Sequence, residues 1–221
     1  MIIPFKKNQQ ETTFWYHRQK ILLIALALII TSYFYLDIPL AKHLEHISSS
    51  VHQLSVFLTD LISPFIHYLI WPTLYFFTRF VWHKSSTINN RILLLAISIP
   101  MTNLIVEFLK RAIGRSRPEM LFSQSISTFH FFADQNSNFS FPSGHAATIG
   151  AICGCLACMF PRHAFTFLWS SCLLAFTRVI LGVHYLSDII AGLTIGILTA
   201  QRIYISMKKS DASVSNNLKW L

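Results

Sequence analysis

The sequence predicts an all-α fold: a polytopic membrane helical bundle with six transmembrane helices and an amphipathic interfacial helix, in one domain. Composition points there first. Of 221 residues, 53% are hydrophobic and only 12% are charged, whereas a soluble globular chain carries about 25% charged residues. The apolar residues also gather into runs near the roughly 20 residues that a helix needs to cross a bilayer core. These runs are Ile21–Leu36, Pro64–Trp82, Ile92–Leu109, Ser143–Phe160, Ala164–Leu181 and Tyr185–Ile203. Gly and Pro are sparse and no segment is of low complexity, so long disorder is not expected.

The N-terminal flank, residues 1–20, has no apolar core and is not by itself a signal peptide. It places Lys6, Lys7, Arg18 and Lys20 before the first run, which suits an uncleaved signal anchor. Trp15, Tyr16, Tyr33 and Tyr35 stand where interfacial aromatics belong. The segment Asp37–Asp60 follows. Leu40, Leu44, Ile47, Val51 and Leu54 recur in it at helical spacing, with Lys42, His43, Glu45, His46 and His52 between them. That pattern suits a helix lying on the membrane surface or one packed on its own bundle, and the two are compatible.

Lys and Arg accumulate on the cytoplasmic side of membrane proteins. With six spans, the N-terminal cations fall on one side together with Arg79, Lys84, Arg91, Arg162, Arg202, Lys208, Lys209 and Lys219. Both termini are therefore expected in the cytoplasm, with the loop Lys110–Phe141 on the outer face. The formal net charge is +9. It does not gather on a soluble segment, so nucleic acid is not an expected partner. Cys153, Cys155, Cys158 and Cys172 all lie in apolar runs and read as small packing residues rather than a metal or disulfide set.

Charged side chains in or at the ends of membrane helices are costly and invite a functional reading. Three clusters qualify, all on the predicted outer side. Lys110 and Arg117-Pro118 end the third run. Arg111 and Arg115 beside them read as interfacial anchors whose stems snorkel to the headgroups. Asn103, Glu107 and Lys110 share a helical face that should look into the bundle. The second cluster, Pro142-Ser143-Gly144-His145, opens the fourth run. A Pro near the first helical position and a small residue after it favour a helix start, where free N–H groups and the helix dipole attract an anion. The third cluster is Arg178, His184 and Asp188. His184 and Asp188, four apart, can hydrogen-bond on one helix face, which would leave the other imidazole nitrogen free to attack. Arg178 offers a fork that matches phosphate oxygens; a buried ion pair with Asp188 is its plain structural alternative. Together these residues suggest phosphoryl transfer through a covalent intermediate, with cations offsetting the charge that a metal offsets elsewhere.

Lys110-x6-Arg117-Pro118, Pro142-Ser143-Gly144-His145 and Arg178-x5-His184-x3-Asp188 resemble, in order and spacing, the signature of the type 2 phosphatidic acid phosphatase superfamily. That group includes lipid phosphate phosphatases, glucose-6-phosphatase and vanadium haloperoxidases. Thr177 stands where the family usually has Ser before the arginine. The resemblance implies that His184 becomes phosphohistidine, that Asp188 orients it, and that His145 protonates the leaving oxygen and then activates water. It implies that Lys110, Arg117, Arg178 and the Ser143–Gly144 backbone hold the phosphate, with no metal and no cofactor. The expected catalytic core is 92–203, with a tail at 204–221.

The partners so implied are the bilayer and a membrane lipid phosphate; the residues leave the oligomeric state open. Similarity to bacterial members implies an inner-membrane enzyme with a periplasmic site. Lipid A phosphate leads as substrate, and phosphatidylglycerol phosphate and undecaprenyl pyrophosphate stay open, because head-group choice lies in loops such as Leu121–Asn138. A lipid phosphotransferase and an anion transporter are the alternatives; the transporter requires a polar stripe through the full bilayer depth.

Overall fold

The computed structural model describes residues 18–45, 47–83, 85–124, 129–132 and 139–217, and the side chains of these except 18, 124 and 211–217. Lys6, Lys7, Trp15, Tyr16, His46, Lys84, Lys219 and most of the loop Leu121–Asn138 lie outside the described residues.

The first run continues well beyond Leu36. Helix α1 (Arg18–Thr31) passes through a π turn (Ser32–Leu36) into α2 (Asp37–Leu44). A break follows, and Ser48, with extended backbone (φ −60°, ψ 145°), starts α3 (Ser49–Leu61). Next come α4 (Pro64–Phe76), with a π turn to Val81, α5 (Ser86–Ile113), the short α6 (Pro118–Gln124), α7 (Gly144–Met159), α8 (Ala164–Ile180) and α9 (Leu186–Asn217). The region expected as a tail is thus helical as far as Asn217.

Five helical stretches are long and apolar enough to cross a membrane: Gln19–Leu44, Ser49–Val81, Ser86–Ile113, Pro161–Ile180 and Leu186–Ser210. The expected fourth span is the exception. Helix α7 has 16 residues, about 24 Å of helix against a hydrocarbon core of about 30 Å. Twelve of those residues are buried, so α7 is lined by protein rather than lipid and need not match the bilayer. On one flank Ala146, Ile149 and Cys153 pack with Ala175, Val179, Ile189 and Leu193. On another, Ala151 and Cys155 pack with Leu94, Leu95, Ile99 and Ala200. Helix α9 meets α7 backbone to backbone. A Cβ on Gly192 would lie 2.4 Å from the Ser143 carbonyl oxygen, and one on Gly196 would lie 2.1 Å from that of Ala147. Small residues permit this approach, as is usual where helices associate in lipid.

The amphipathic connector is two helices rather than one, and its faces are not what the periodicity suggests. Leu40 and Leu44 of α2 pack on the core. In α3, Val51 and Leu54 are exposed, while Ser55 and Thr59 are buried. Thr59 Oγ1 lies 3.2 Å from Thr177 Oγ1 on α8. Lipid removes the incentive to turn apolar side chains inward, so small hydroxyls that can bond between helices take the inner face.

Candidate active site

Each of the three motifs occupies a helix end. Lys110 lies in the last turn of α5, which Gly114 terminates in the left-handed conformation (φ 62°, ψ 46°) with its N–H on the Lys110 carbonyl at 2.8 Å. Glycine adopts this conformation without a Cβ clash. The Lys110 ammonium is 3.2 Å from Glu107 Oε1. A Cβ added to Gly144 would sit 3.4 Å from Lys110 Nζ, so the ammonium hangs over the start of α7. The expected inward polar stripe divides. Asn103 is buried and donates to Thr148 Oγ1 on α7 at 2.9 Å, whereas the Glu107 side chain is 52% exposed.

Ser143 is the N-cap of α7, and its Oγ accepts from Ala146 N at 3.4 Å. Pro142 therefore stands before the cap, not inside the first turn. The Ser143 N–H donates to the Asp188 carbonyl at 3.1 Å, which joins the second motif to the third and leaves Gly144 and His145 as the N–H groups that open the helix. His145, in that first turn, is within electrostatic reach of Arg178, His184, Lys110 and Arg117.

Arg178 ends α8, and a turn through Gly182 leads to His184, which is 3% exposed. Because α9 begins at Leu186, His184 precedes the helix on which Asp188 sits. The two are not neighbours on one helical face. His184 Nδ1 lies 3.7 Å from Asp188 Oδ2, longer than a hydrogen bond. His184 Nδ1, Arg117 Nε and Arg178 Nε are buried with no hydrogen-bond partner among the described residues. Burial pushes the His184 imidazole down to about 4; the Asp188 carboxylate opposes this, and Arg178 and Arg117 add to it.

Arg115 is a correction to the expected interfacial anchor. It is 3% exposed and supplies the ion pair to Asp188 that Arg178 was a candidate to make. Nη1 donates to Asp188 Oδ1 at 2.6 Å and to Ser187 Oγ at 2.7 Å; Nη2 donates to Asp37 Oδ2 at 2.8 Å. Its guanidinium lies 4.1 Å from the Tyr185 ring centroid and 5.0 Å from that of Tyr33. Burial works against the charge, but Asp188 and Asp37 raise the guanidinium above its ordinary pKa. The other Asp188 oxygen, Oδ2, accepts from Ser140 Oγ at 2.6 Å and from Tyr185 N at 2.8 Å. Asp37, 1% exposed, accepts from Ser32 Oγ at 3.0 Å and from Ser187 N at 2.9 Å. Asp37, Arg115, Ser140 and Ser187 escaped the motif reading. The available signal was an acidic residue at the end of an apolar run, which is costly unless partnered.

The depressed His184 pKa has a measurable consequence. In NMR titration of histidine-labelled protein, with His184→Asn as the assignment control, the ring should stay neutral at pH 6 and protonate near 4. The unfolded chain would take up this proton near the ordinary 6.5. Unfolding therefore binds a proton between those values, and stability falls as pH drops through that window. A ring half-protonated at 6.5 in the folded protein would contradict the burial argument.

Among the described residues, no three His, Cys, Asp or Glu side chains cluster closely enough to hold a metal ion. Comparison with known proteins gives the family. The PAP2 superfamily matches residues 91–212. The chain is 40% identical to a lipid A 1-phosphatase of Rhizobium johnstonii over 102 residues, covering 46% of this chain and 42% of that protein. It thus spans less than half the length of this relative. It is 26% identical to a lipid A 4'-phosphatase of Bacteroides thetaiotaomicron over 191 residues, 79% of this chain and 84% of that one. Its fold is shared with a transmembrane PAP2-type phosphatidylglycerolphosphate phosphatase of Bacillus subtilis (TM-score 0.62, 20% identity, 88% of this chain and 97% of that one). Aquifex aeolicus LpxE is similar too (TM-score 0.56, 21% identity, 78% and 96%). A match over more than half of the sequence, carrying all three motifs, makes this chain a member of the PAP2 superfamily, the type 2 phosphatidic acid phosphatases.

Proposed function

We propose that this chain is a bacterial membrane lipid phosphate phosphatase that works through a phosphohistidine on His184, with lipid A phosphate as its leading substrate class. One observation carries the reading: Lys110 Nζ overhangs Gly144 while Ser143 N bonds the Asp188 carbonyl, which brings the ends of the three motifs together, with Arg117, Arg178 and His184 within electrostatic reach of His145.

Because Nδ1 of His184 faces Asp188, Nε2 on the opposite edge is the nucleophile. It forms the N–P bond as the P–O bond of the ester breaks. The electron pair stays on the leaving oxygen, which takes a proton from His145. Water then attacks phosphorus and gives a proton to His145, and the N–P pair returns to the ring. Lys110, Arg117, Arg178 and the Gly144–His145 N–H groups hold the phosphate oxygens as charge moves between them. Asp188 supports the cationic ring. No metal enters these steps. The outer leaflet of the inner membrane is the proposed location, with the site periplasmic and the termini cytoplasmic.

The direct experiment offers purified protein lipid A, phosphatidylglycerol phosphate, undecaprenyl pyrophosphate and phosphatidic acid, and measures released phosphate for each. Lipid A phosphate should give the highest kcat/KM; no release from any of the four sinks the assignment. Vanadate should inhibit, because it mimics pentacoordinate phosphorus, and EDTA should leave the rate unchanged. Loss of activity with EDTA that zinc or magnesium restores would replace this mechanism with a metal-dependent one.

A further inference from the structure

The buried assembly behind His184 contains more charge than the three motifs account for. Asp37, Arg115 and Asp188 are each at most 3% exposed. Ion pairs of 2.8 Å and 2.6 Å join Arg115 to the two carboxylates, and Ser187 bonds both Arg115 and Asp37. Burying three charged groups together carries a heavy desolvation cost, so a simpler apolar packing would serve if only cohesion were needed. The arrangement also has a sign. Two carboxylates against one guanidinium leave one net negative charge. Had Arg115 paired with Asp188 alone, that charge would have been cancelled beside the histidine.

Resting on the function proposed above, we infer that Arg115 and Asp37 are positioning residues for the His184–Asp188 pair. Arg115 binds Oδ1 of Asp188 and thereby turns Oδ2 toward His184. Ser140 and the Tyr185 N–H hold Oδ2 from the other side. Asp37 offsets the charge of Arg115, so that Asp188 keeps its full negative potential for the ring that turns cationic as the N–P bond forms. Asp37 belongs to the first helical run, with Ser32 bonded to it. The first membrane helix thus contributes to the reacting centre without touching substrate.

The test is a split between chemistry and phosphate binding. Asp37→Asn keeps the shape but removes the offsetting charge. Arg115→Lys keeps the charge, but one ammonium cannot make the planar fork to both carboxylates. Both variants, and His184→Ala as the reference for a dead nucleophile, are assayed as full-length protein in detergent. Rates are normalised to the monodisperse protein recovered by gel filtration, so that only folded molecules count. The expected result is a fall of about 10–100-fold in kcat and in single-turnover phosphoenzyme formation, the size seen when a hydrogen-bond partner that orients a metal-bound side chain is removed. Affinity for inorganic phosphate, a tetrahedral ground-state ligand read by competitive inhibition, and KM should stay within about 2-fold, since Lys110, Arg117 and Arg178 are intact. Unchanged kcat per folded molecule in either variant overturns the inference while leaving the phosphatase reading in place. Equal loss of inorganic phosphate affinity and kcat also overturns it, because it would mark Arg115 and Asp37 as general scaffold. If wild-type protein releases no phosphate from any lipid, the functional reading itself has failed.

Discussion

His184→Ala should abolish turnover, with kcat falling on the order of 10⁶-fold, the scale of losing a covalent nucleophile, while the protein stays folded and still binds inorganic phosphate. The physical reason is the separation of tasks in the site. In the proposed mechanism phosphate is held by Lys110 over Gly144, by Arg117 and by Arg178 rather than by the imidazole. In that mechanism bond formation at phosphorus depends on the imidazole. Brief incubation with ³²P-labelled lipid phosphate followed by alkaline denaturation should trap label on wild-type protein, because a phosphohistidine survives alkali. The variant should trap none. His145→Ala is the informative companion. It loses a proton donor rather than the nucleophile, so turnover should drop about 10²–10⁴-fold. Label should still appear on His184 when the leaving group needs no proton, as with a nitrophenyl phosphate. Normal turnover by the alanine variant at 184 would end the covalent mechanism.

Gly196→Val should be the most disruptive substitution outside the site. A Cβ there meets Ala147 O at 2.1 Å and Ala151 N at 2.6 Å. Both are backbone atoms of a buried helix, so no side chain can swing aside. Helices α7 and α9 must move apart, and overpacking of this kind costs about 1–3 kcal/mol or more. Because α9 carries Asp188 and α7 carries Gly144 and His145, the displacement should reach the site as well. Thermal unfolding in detergent should shift down by many degrees, and activity should fall even in the fraction that remains folded. Gly192→Ala tests the same contact one turn nearer the site, since its Cβ would press on the Ser143 carbonyl at 2.4 Å. Cys172→Ala, at an exposed position on α8, is the matched control and should leave the melting temperature within about a degree. A Gly196→Val protein as stable as this control would mean that the close approach of α7 and α9 is not required.

Much of the fold was legible because lipid imposes a crude rule. A helix in hydrocarbon must satisfy its own backbone, so long apolar runs read directly as helices, and five of the expected spans have counterparts long enough to cross. The rule fails where a helix does not face lipid. Ser143–Phe160 looked like any other span, yet α7 is short because its surroundings are protein. It fails again at the connector, where periodicity located Val51 and Leu54 on one face but could not say whether that face meets core or lipid. At the site, the motif spacing placed cations and histidines at helix ends. It did not show that His184 precedes α9, or that its nearest carboxylate oxygen stands 3.7 Å away.

The sequence by itself determined an all-helical membrane chain with its reactive side chains at the ends of apolar runs, because composition and run length depend only on neighbours along the chain. Only the tertiary structure decided what surrounds Asp188. Arg115 reaches it across 73 positions and reaches Asp37 across 78. No local pattern distinguishes an arginine that snorkels to water from one folded back beneath the helix end that Gly114 turns. That choice is made by the partners already buried there, whose unpaired carboxylates would otherwise be too costly to keep.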